Sequence, residues 1–366
     1  MKKINKILLG LLGLSLFLTS CKDWTMTEPL QPTQLVGALS TYKTPEYYAN
    51  LREYKKSDHP IAFGWFGNWT GSGANLQGSM AGLPDSVDVV SMWGRWANPT
   101  KEQLEDLRFC QEVKGLKALV VFIVQDLGGG NITPESHNKD MKSVKEYWGW
   151  KDGNDQSIHA AIEKYTNALC DTIDKYNYDG FDIDFEPNYG HRGNLSGYPD
   201  RMMTFVKTMG KRIGPKAETE KGRERLFVID GEPQSMPPES GPYFNYFIVQ
   251  AYQSYGDSDL DRRLTSTINN FKGVLTPEEV AKKYVVTENF ENYATAGGVN
   301  YIDRYGKQYK SLEGMARWTP IINGKKVQKG GIGTYHMEYE YRVSGFGTIT
   351  YPYLRKGIQI MNPAVR

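Results

Sequence analysis

The chain of 366 residues is poor in cysteine, poor in histidine and nearly balanced in charge, and each shortage closes off a class of function. Its three cysteines (Cys21, Cys110, Cys170) and five scattered histidines form neither CxxC nor HExxH, so no structural zinc site is expected. Lysine and arginine total 44 against 42 acids, a formal net charge of +2, which leaves no global positive field to attract nucleic acid. No apolar run is long enough to span a bilayer. GxGxxG is absent, and no internal repeat or low-complexity tract is visible.

The N-terminus carries the first positive signal. "MKKINKILLGLLGLSLFLTSCKDW" places Lys2, Lys3 and Lys6 ahead of a short apolar run that stops at a small residue and Cys21, the layout of a secretory signal peptide. The junction resembles the lipobox of bacterial lipoproteins, which implies residues 1–20 as signal peptide and Cys21 as a lipidated N-terminus. An ordinary signal peptide with a chance cysteine is the alternative. Lys22 and Asp23 loosely resemble the surface-export signal of lipoproteins from glycan-foraging gut bacteria, which implies an outer-membrane lipoprotein exposed at the cell surface. Residues 21–43, with Pro and Thr and no periodicity, read as the lipidated cysteine and its tether. Removing residues 1–20 takes three lysines and no acids, so +2 falls to −1. Cys110 and Cys170 fall inside amphipathic helical patterns, where a disulfide and two buried free thiols are both open.

Residues 44–366 alternate strand and helix patterns. Apolar runs rich in β-branched and aromatic residues occur at 61–66, 86–93, 118–124, 180–186, 225–232, 246–253, 284–290 and 331–337. Helical patterns occupy 44–58, 99–115, 155–177, 197–215 and 258–283. Alternation of this kind argues for a parallel sheet, and eight strands argue for a single-domain (β/α)8 TIM barrel. A Rossmann-like sheet is the alternative, but "GWFGNWTGSGAN" after the first strand lacks the required glycine spacing and opens no helix.

The fourth strand is the unusual one. "YDGFDIDFEP" sets Asp182, Asp184 and Glu186 on one face and Phe181, Ile183 and Phe185 on the other. In a barrel the aromatic face packs on the helices, the acids line the interior, and Glu186 reaches the C-terminal rim where such enzymes place their sites. Carboxylates at i and i+2 lie about 6.6 Å apart and repel by about 2.5 kcal/mol at an effective dielectric near 20, so the array shares protons. A carboxyl that keeps its proton near neutral pH serves as a general acid. A calcium loop is a poor alternative, because Pro187 stands where that turn needs glycine. A magnesium site and a solvated edge strand are further alternatives.

Ordinary glycosidases place two carboxyl groups on opposite sides of the scissile bond. Here the acids share one strand and one side, so no carboxylate of this strand can attack the far face of a sugar. A substrate with its own nucleophile resolves the difficulty: a 2-acetamido carbonyl oxygen closes on the anomeric carbon while Glu186 protonates the leaving oxygen. Asp184 then orients the amide N–H and balances the oxazolinium charge, with Asp182 tuning Asp184.

"DGFDIDFE", Asp179 to Glu186, resembles in full the DGxDxDxE signature of glycoside hydrolase family 18, on the fourth strand as that family requires. The resemblance implies a (β/α)8 chitinase or endo-β-N-acetylglucosaminidase with Glu186 as acid/base, Asp184 as orienting group, and no cofactor or metal. "VQAYQ" looks like the Gln-x-Tyr of the endoglycosidase branch, implying that Tyr252 bonds the acetamido oxygen and that Gln250 contacts the same sugar. Asp179, Trp148, Trp150 and His336 are the remaining expected substrate contacts, with Tyr147, Tyr335 and Glu338 as further candidates. The third strand keeps a diglycine in "VQDLGGG" but not the serine many members carry, and the eighth lacks the chitinase tryptophan. Together these imply hydrolysis of the GlcNAc-β-1,4-GlcNAc core of N-glycans by a membrane-anchored monomer. A non-catalytic glycan-binding barrel and a chitinase-like hydrolase are the alternatives.

Overall fold

The computed structural model describes residues 43–363. The expected signal peptide, Cys21 and nearly all of the tether lie outside the described residues. Eight strands, β1 (Ile61–Phe66), β2 (Val89–Trp93), β3 (Lys117–Ile123), β4 (Gly180–Phe185), β5 (Leu226–Gly231), β6 (Tyr246–Val249), β7 (Tyr284–Asn289) and β8 (Gly331–Tyr335), close into a barrel in the order β1-β8-β7-β6-β5-β4-β3-β2. Every pairing is parallel, so all eight C-terminal ends meet at one rim.

Helices α1 (Pro45–Lys56), α2 (Lys101–Glu112), α3 (Met141–Trp148), α4 (Asp155–Tyr176), α5 (Pro199–Arg212), α6 (Asp257–Asn270), α7 (Pro277–Lys283), α8 (Ser311–Arg317) and α9 (Pro352–Met361) surround the strands. The pattern at 258–283 forms two helices rather than one. Gly273 takes a left-handed φ of 86°, and Thr276 caps α7 reciprocally with Glu279 just before Pro277, a helix start strong enough to end the preceding run. The segment from β7 to β8 carries two small hairpins (Asn300–Ile302 with Gln308–Lys310, Ile321–Ile322 with Lys325–Lys326) that the sequence pattern did not disclose. Strands of two or three residues are too short to show a period.

Alternation sorts the strands into two cores. Ile61, Phe63, Trp65, Val121, Val228 and Val285 fill the barrel, while Ala62, Phe66, Phe181, Ile183 and Phe185 pack outward against the helices. Cys110 and Cys170 are free thiols buried in that outer layer.

Asp179 does not reach the site, contrary to its assignment as a substrate contact. It lies at the opposite rim, where its carboxylate accepts from the Ala118 N–H (2.9 Å) and the Gln111 amide (2.6 Å), and its carbonyl accepts from the Leu226 N–H (2.8 Å). It therefore ties β3, β4 and β5 together where they begin. α1 crosses this same rim: Tyr47 bonds Asp85 ahead of β2 (3.0 Å), and Arg52 bonds the Val113 carbonyl ahead of β3 (2.8 Å).

Gly180 is fixed by close approach. A Cβ there would stand 1.8 Å from the Leu226 carbonyl oxygen, on a backbone with φ of 148°. Gly180→Ala is expected to lower unfolding free energy by more than about 2 kcal/mol through combined strain and clash. Urea denaturation checks this, and a midpoint equal to that of the unmodified chain would contradict it.

Candidate active site

β4 delivers its acids in register with its neighbours. Asp182 pairs with Val121 and Val228, and Asp184 pairs with Ile123 and Asp230. Asp182 and Asp230 have no solvent exposure and Asp184 has 3%, while Glu186, one residue past the strand, keeps 15% of its side chain exposed. Burial removes water that would stabilise each charge, so Asp182 is pushed up to about 7. Asp184 is raised well above the carboxylate range, first by burial and then by Glu186 and Asp182. Asp230 is raised likewise, by burial and then by Asp184, Asp182 and Glu186.

Only neutral donors meet these acids. The Ser91 hydroxyl donates to Asp182 Oδ2 (2.5 Å), the Trp65 indole N–H to Asp230 Oδ2 (3.3 Å), and the Gln250 amide to both Asp230 Oδ1 (3.2 Å) and Glu186 Oε1 (2.5 Å). On the other side of Glu186, His191 Nε2 lies 3.6 Å from Oε2. Asp182 Oδ1 and Asp184 Oδ1 are buried without a donor.

A cavity of about 190 Å³ opens over these groups, lined by Trp65, Trp93, Ile123, Asp184, Glu186, Gln250, Tyr252 and Tyr335. Its two carboxyl groups both come from β4 and the residue after it. Burial, followed by Asp230 and Asp184, raises the Tyr252 hydroxyl well above its ordinary value, so it is a neutral O–H donor facing the acids. A groove of about 710 Å³ adjoins the cavity at Trp93 and Ile123, and a second space of about 470 Å³ adjoins it at Glu186, Gln250 and Tyr252.

Of the residues expected from sequence, Asp182, Asp184, Glu186, Gln250 and Tyr252 come together. Trp148 and Trp150 do not: they are 4% and 6% exposed and cannot present a face to a sugar. The Trp148 indole bonds Thr133 (3.0 Å) and its ring meets Tyr147 and Tyr165 edge-on. Trp150 bonds Asp152 (2.8 Å) and sits 4.9 Å from the Arg201 guanidinium. Both anchor their own loop, because about a quarter of the 127–157 segment read as a loop is helix α3, which packs inward through Val144 and Trp148. His336 stands outside the cavity, held by Glu338 (2.9 Å) and stacked on Tyr339, while its neighbour Tyr335 takes the lining position. Gly128 and Gly130 turn the third-strand loop at φ of 85° and 74° and pack against Val144 and Phe122.

Sequence reasoning missed Asp230, His191, Trp65 and Trp93. The same alternation that located Asp182 and Asp184 applies to "LFVIDG", where Val228 and Asp230 share the inner face. His191 sits on an irregular loop, and only its closeness to Glu186 reveals it. Among the described residues, no three His, Cys, Asp or Glu side chains are arranged to hold a metal ion.

Residues 36–360 match the family described as "Glycoside hydrolase family 18, BT1044-like". Endo-β-N-acetylglucosaminidase F2 of Elizabethkingia meningoseptica is 28% identical over 331 residues, 86% of this chain and 85% of that protein. A solved BT1044 structure in selenomethionyl form is 36% identical with a TM-score of 0.73, covering 87% of this chain and 93% of the other. An endo-β-N-acetylglucosaminidase from Cordyceps militaris in its apo form is 21% identical with a TM-score of 0.58, covering 88% and 97%, a likeness that speaks to the fold alone. With the acidic β4 at the heart of a closed eight-stranded barrel and a family match running almost its full described length, the chain belongs to glycoside hydrolase family 18.

Proposed function

We propose that this glycoside hydrolase is an endo-β-N-acetylglucosaminidase that cleaves the GlcNAc-β-1,4-GlcNAc core of N-glycans with retention of configuration. The observation that carries the reading is the cavity lining: Asp184, Glu186 and Tyr252 converge on it, and it holds no carboxylate besides those two from β4 and the residue after it. A nucleophile must then come from the substrate, and a 2-acetamido group has one in its carbonyl oxygen. In the first step that oxygen forms a bond to the anomeric carbon, the glycosidic bond breaks, and Glu186 gives its proton to the departing oxygen. Asp184 accepts the amide N–H and balances the oxazolinium charge, while the Tyr252 hydroxyl bonds the acetamido oxygen. In the second step Glu186 takes a proton from water, which opens the ring from the face the leaving group vacated.

Endo action finds support in the grooves adjoining the cavity on both sides, since a chain cut internally must continue past the site in two directions. Trp93, half-buried between cavity and groove, is the aromatic wall available to a sugar face. A lipid on Cys21 would tether the rim that α1 crosses, opposite the cavity.

Glu186→Gln is expected to reduce glycan release from N-glycosylated proteins more than about 1,000-fold while leaving a thiazoline mimic of the oxazolinium bound. Protein mass spectrometry reads the first outcome, as a loss that leaves one N-acetylglucosamine on asparagine, and calorimetry the second. Retained turnover in that variant would remove Glu186 from its role, and an inverted product would remove substrate assistance.

Trp93→Ala is expected to raise KM about tenfold or more with little loss of stability, whereas Trp148→Ala is expected to cost about 3–5 kcal/mol of stability. Steady-state kinetics and thermal melts on the two variants separate the roles; the reverse pattern would restore Trp148 as a sugar contact.

Holding Asp182 up at about 7 means the folded state keeps a proton that the unfolded chain loses near pH 4. Stability is therefore lost as pH rises from about 4 to about 7. Asp182→Asn should gain on the unmodified chain by an amount larger at pH 7.5 than at pH 5, on the order of 2 kcal/mol. An equal difference at both pH values, measured by urea denaturation, would show that Asp182 ionises as freely folded as unfolded.

A further inference from the structure

We infer that Asp230 is a positioning residue for the reaction, the holder of a proton shared with Asp184 and Asp182 that leaves Asp184 anionic when the oxazolinium forms. The inference rests on the substrate-assisted reading above and extends it to a residue outside the family signature.

The first observation is geometric. Asp230 is fully buried, opposes Asp184 in the β4–β5 register, and lies within hydrogen-bonding reach of both Asp184 and Asp182. Two carboxyl groups can hydrogen-bond only if a proton sits between them. Asp182 Oδ1 and Asp184 Oδ1 are the buried carboxyl oxygens of this group that no N–H or hydroxyl reaches, so an acid O–H is the donor available to them.

The second observation is what faces Asp230. Asp182 and Asp184 come from β4, Glu186 from just beyond it, Gln250 and Tyr252 from the end of β6, and Trp65 from β1. The charged neighbours are all acids, and the remaining contacts are neutral donors. Burial and the acidic neighbours raise Asp184 and Asp230 alike, so the pair keeps one proton between them, and Asp230 is the carboxylate that can take it when Asp184 gives it up.

The step balances without an outside reagent. As positive charge develops on the oxazolinium, the Asp184 O–H bond breaks and an Asp230 O–H bond forms, leaving Asp184 as carboxylate beside the cation. When water opens the ring, the proton returns from Asp230 to Asp184. Asp230 also accepts from the Gln250 amide that donates to Glu186, so one side chain sets both the charge of Asp184 and the direction of the group holding Glu186.

Asp230→Asn tests this, since the amide keeps the size and a hydrogen-bond acceptor but cannot exchange the proton. The expected result is kcat lowered about 100-fold with KM within about threefold, and the alkaline limb of the kcat/KM profile moved about one pH unit toward acid because a negative neighbour is gone. Melting of the variant read alongside separates this from unfolding. An activity loss that tracks lost folded protein, with an unchanged pH profile, would reduce Asp230 to a structural residue, as would wild-type kinetics. A substrate-independent readout accompanies it: carboxyl titration of aspartate-labelled chain by carbon NMR. One aspartate proton retained above pH 7 in the unmodified chain and missing in Asp230→Asn supports the inference; identical titrations overturn it. Absence of glycan release by the unmodified chain would instead overturn the endoglycosidase reading, and the titration would still decide the case of Asp230.

Discussion

Asp182, Asp184 and Asp230 share the upper interior of the barrel with at most 3% exposure, and their only donors are a hydroxyl, an indole and an amide. An ion moved from water into such a place costs several kcal/mol even after relaxation, and no cation is bonded to these three to repay it. The group therefore lowers its cost by keeping protons. That single constraint decides which chemistry is possible above it: a carboxyl array that holds protons near neutral pH can donate one, take one back, and change its charge when a substrate does.

The rest of the molecule absorbs the cost. A closed barrel has no strand edge to protect, and the large apolar layer between strands and helices supplies stability that the wet rim does not. Other buried acids show the contrast. Asp106 accepts from the Met80 and Ala81 N–H groups and the Trp69 indole; Glu288 accepts from the Gln253 and Asn289 N–H groups; Glu338 accepts from the Gly67 N–H. Each holds a loop by its backbone. The three carboxyl groups at and beneath the cavity accept from no backbone N–H, so none of them is spent on holding a loop.

Strand positions were legible because short apolar runs rich in β-branched and aromatic residues, such as "IAFGWF" and "ALVVFIV", stand out between amphipathic stretches, and the inner face was legible where acids alternate with apolar residues, as in "GFDIDFE". The catalytic strand was legible twice over, by alternation and by resemblance. What stayed hidden depended on distance in space rather than in sequence. Asp230 needed the β4–β5 register to be seen as a neighbour of Asp184, and His191 needed the fold of an irregular loop. Trp148 and Trp150 were misplaced because tryptophan in a polar segment reads the same whether the indole points out to a sugar or in beneath a helix; the inward α3 and the Thr133 partner decide it.

The eight residues of DGFDIDFE divide by physical task. Asp179 and Gly180 serve assembly, one joining three strands at their start and the other admitting the Leu226 carbonyl where no Cβ fits. Phe181, Ile183 and Phe185 face the helices and hold the strand at fixed depth, so that Asp182, Asp184 and Glu186 rise in steps toward the rim. The last step matters most. Glu186 stands where the cavity meets the second space, so on the proposed mechanism the bond it protonates lies between two spaces rather than at a chain end. On the proposed mechanism Asp184, one step lower, serves the acetamido group while Glu186 serves the leaving oxygen, and the depth difference between the two is the rise of two residues along one strand.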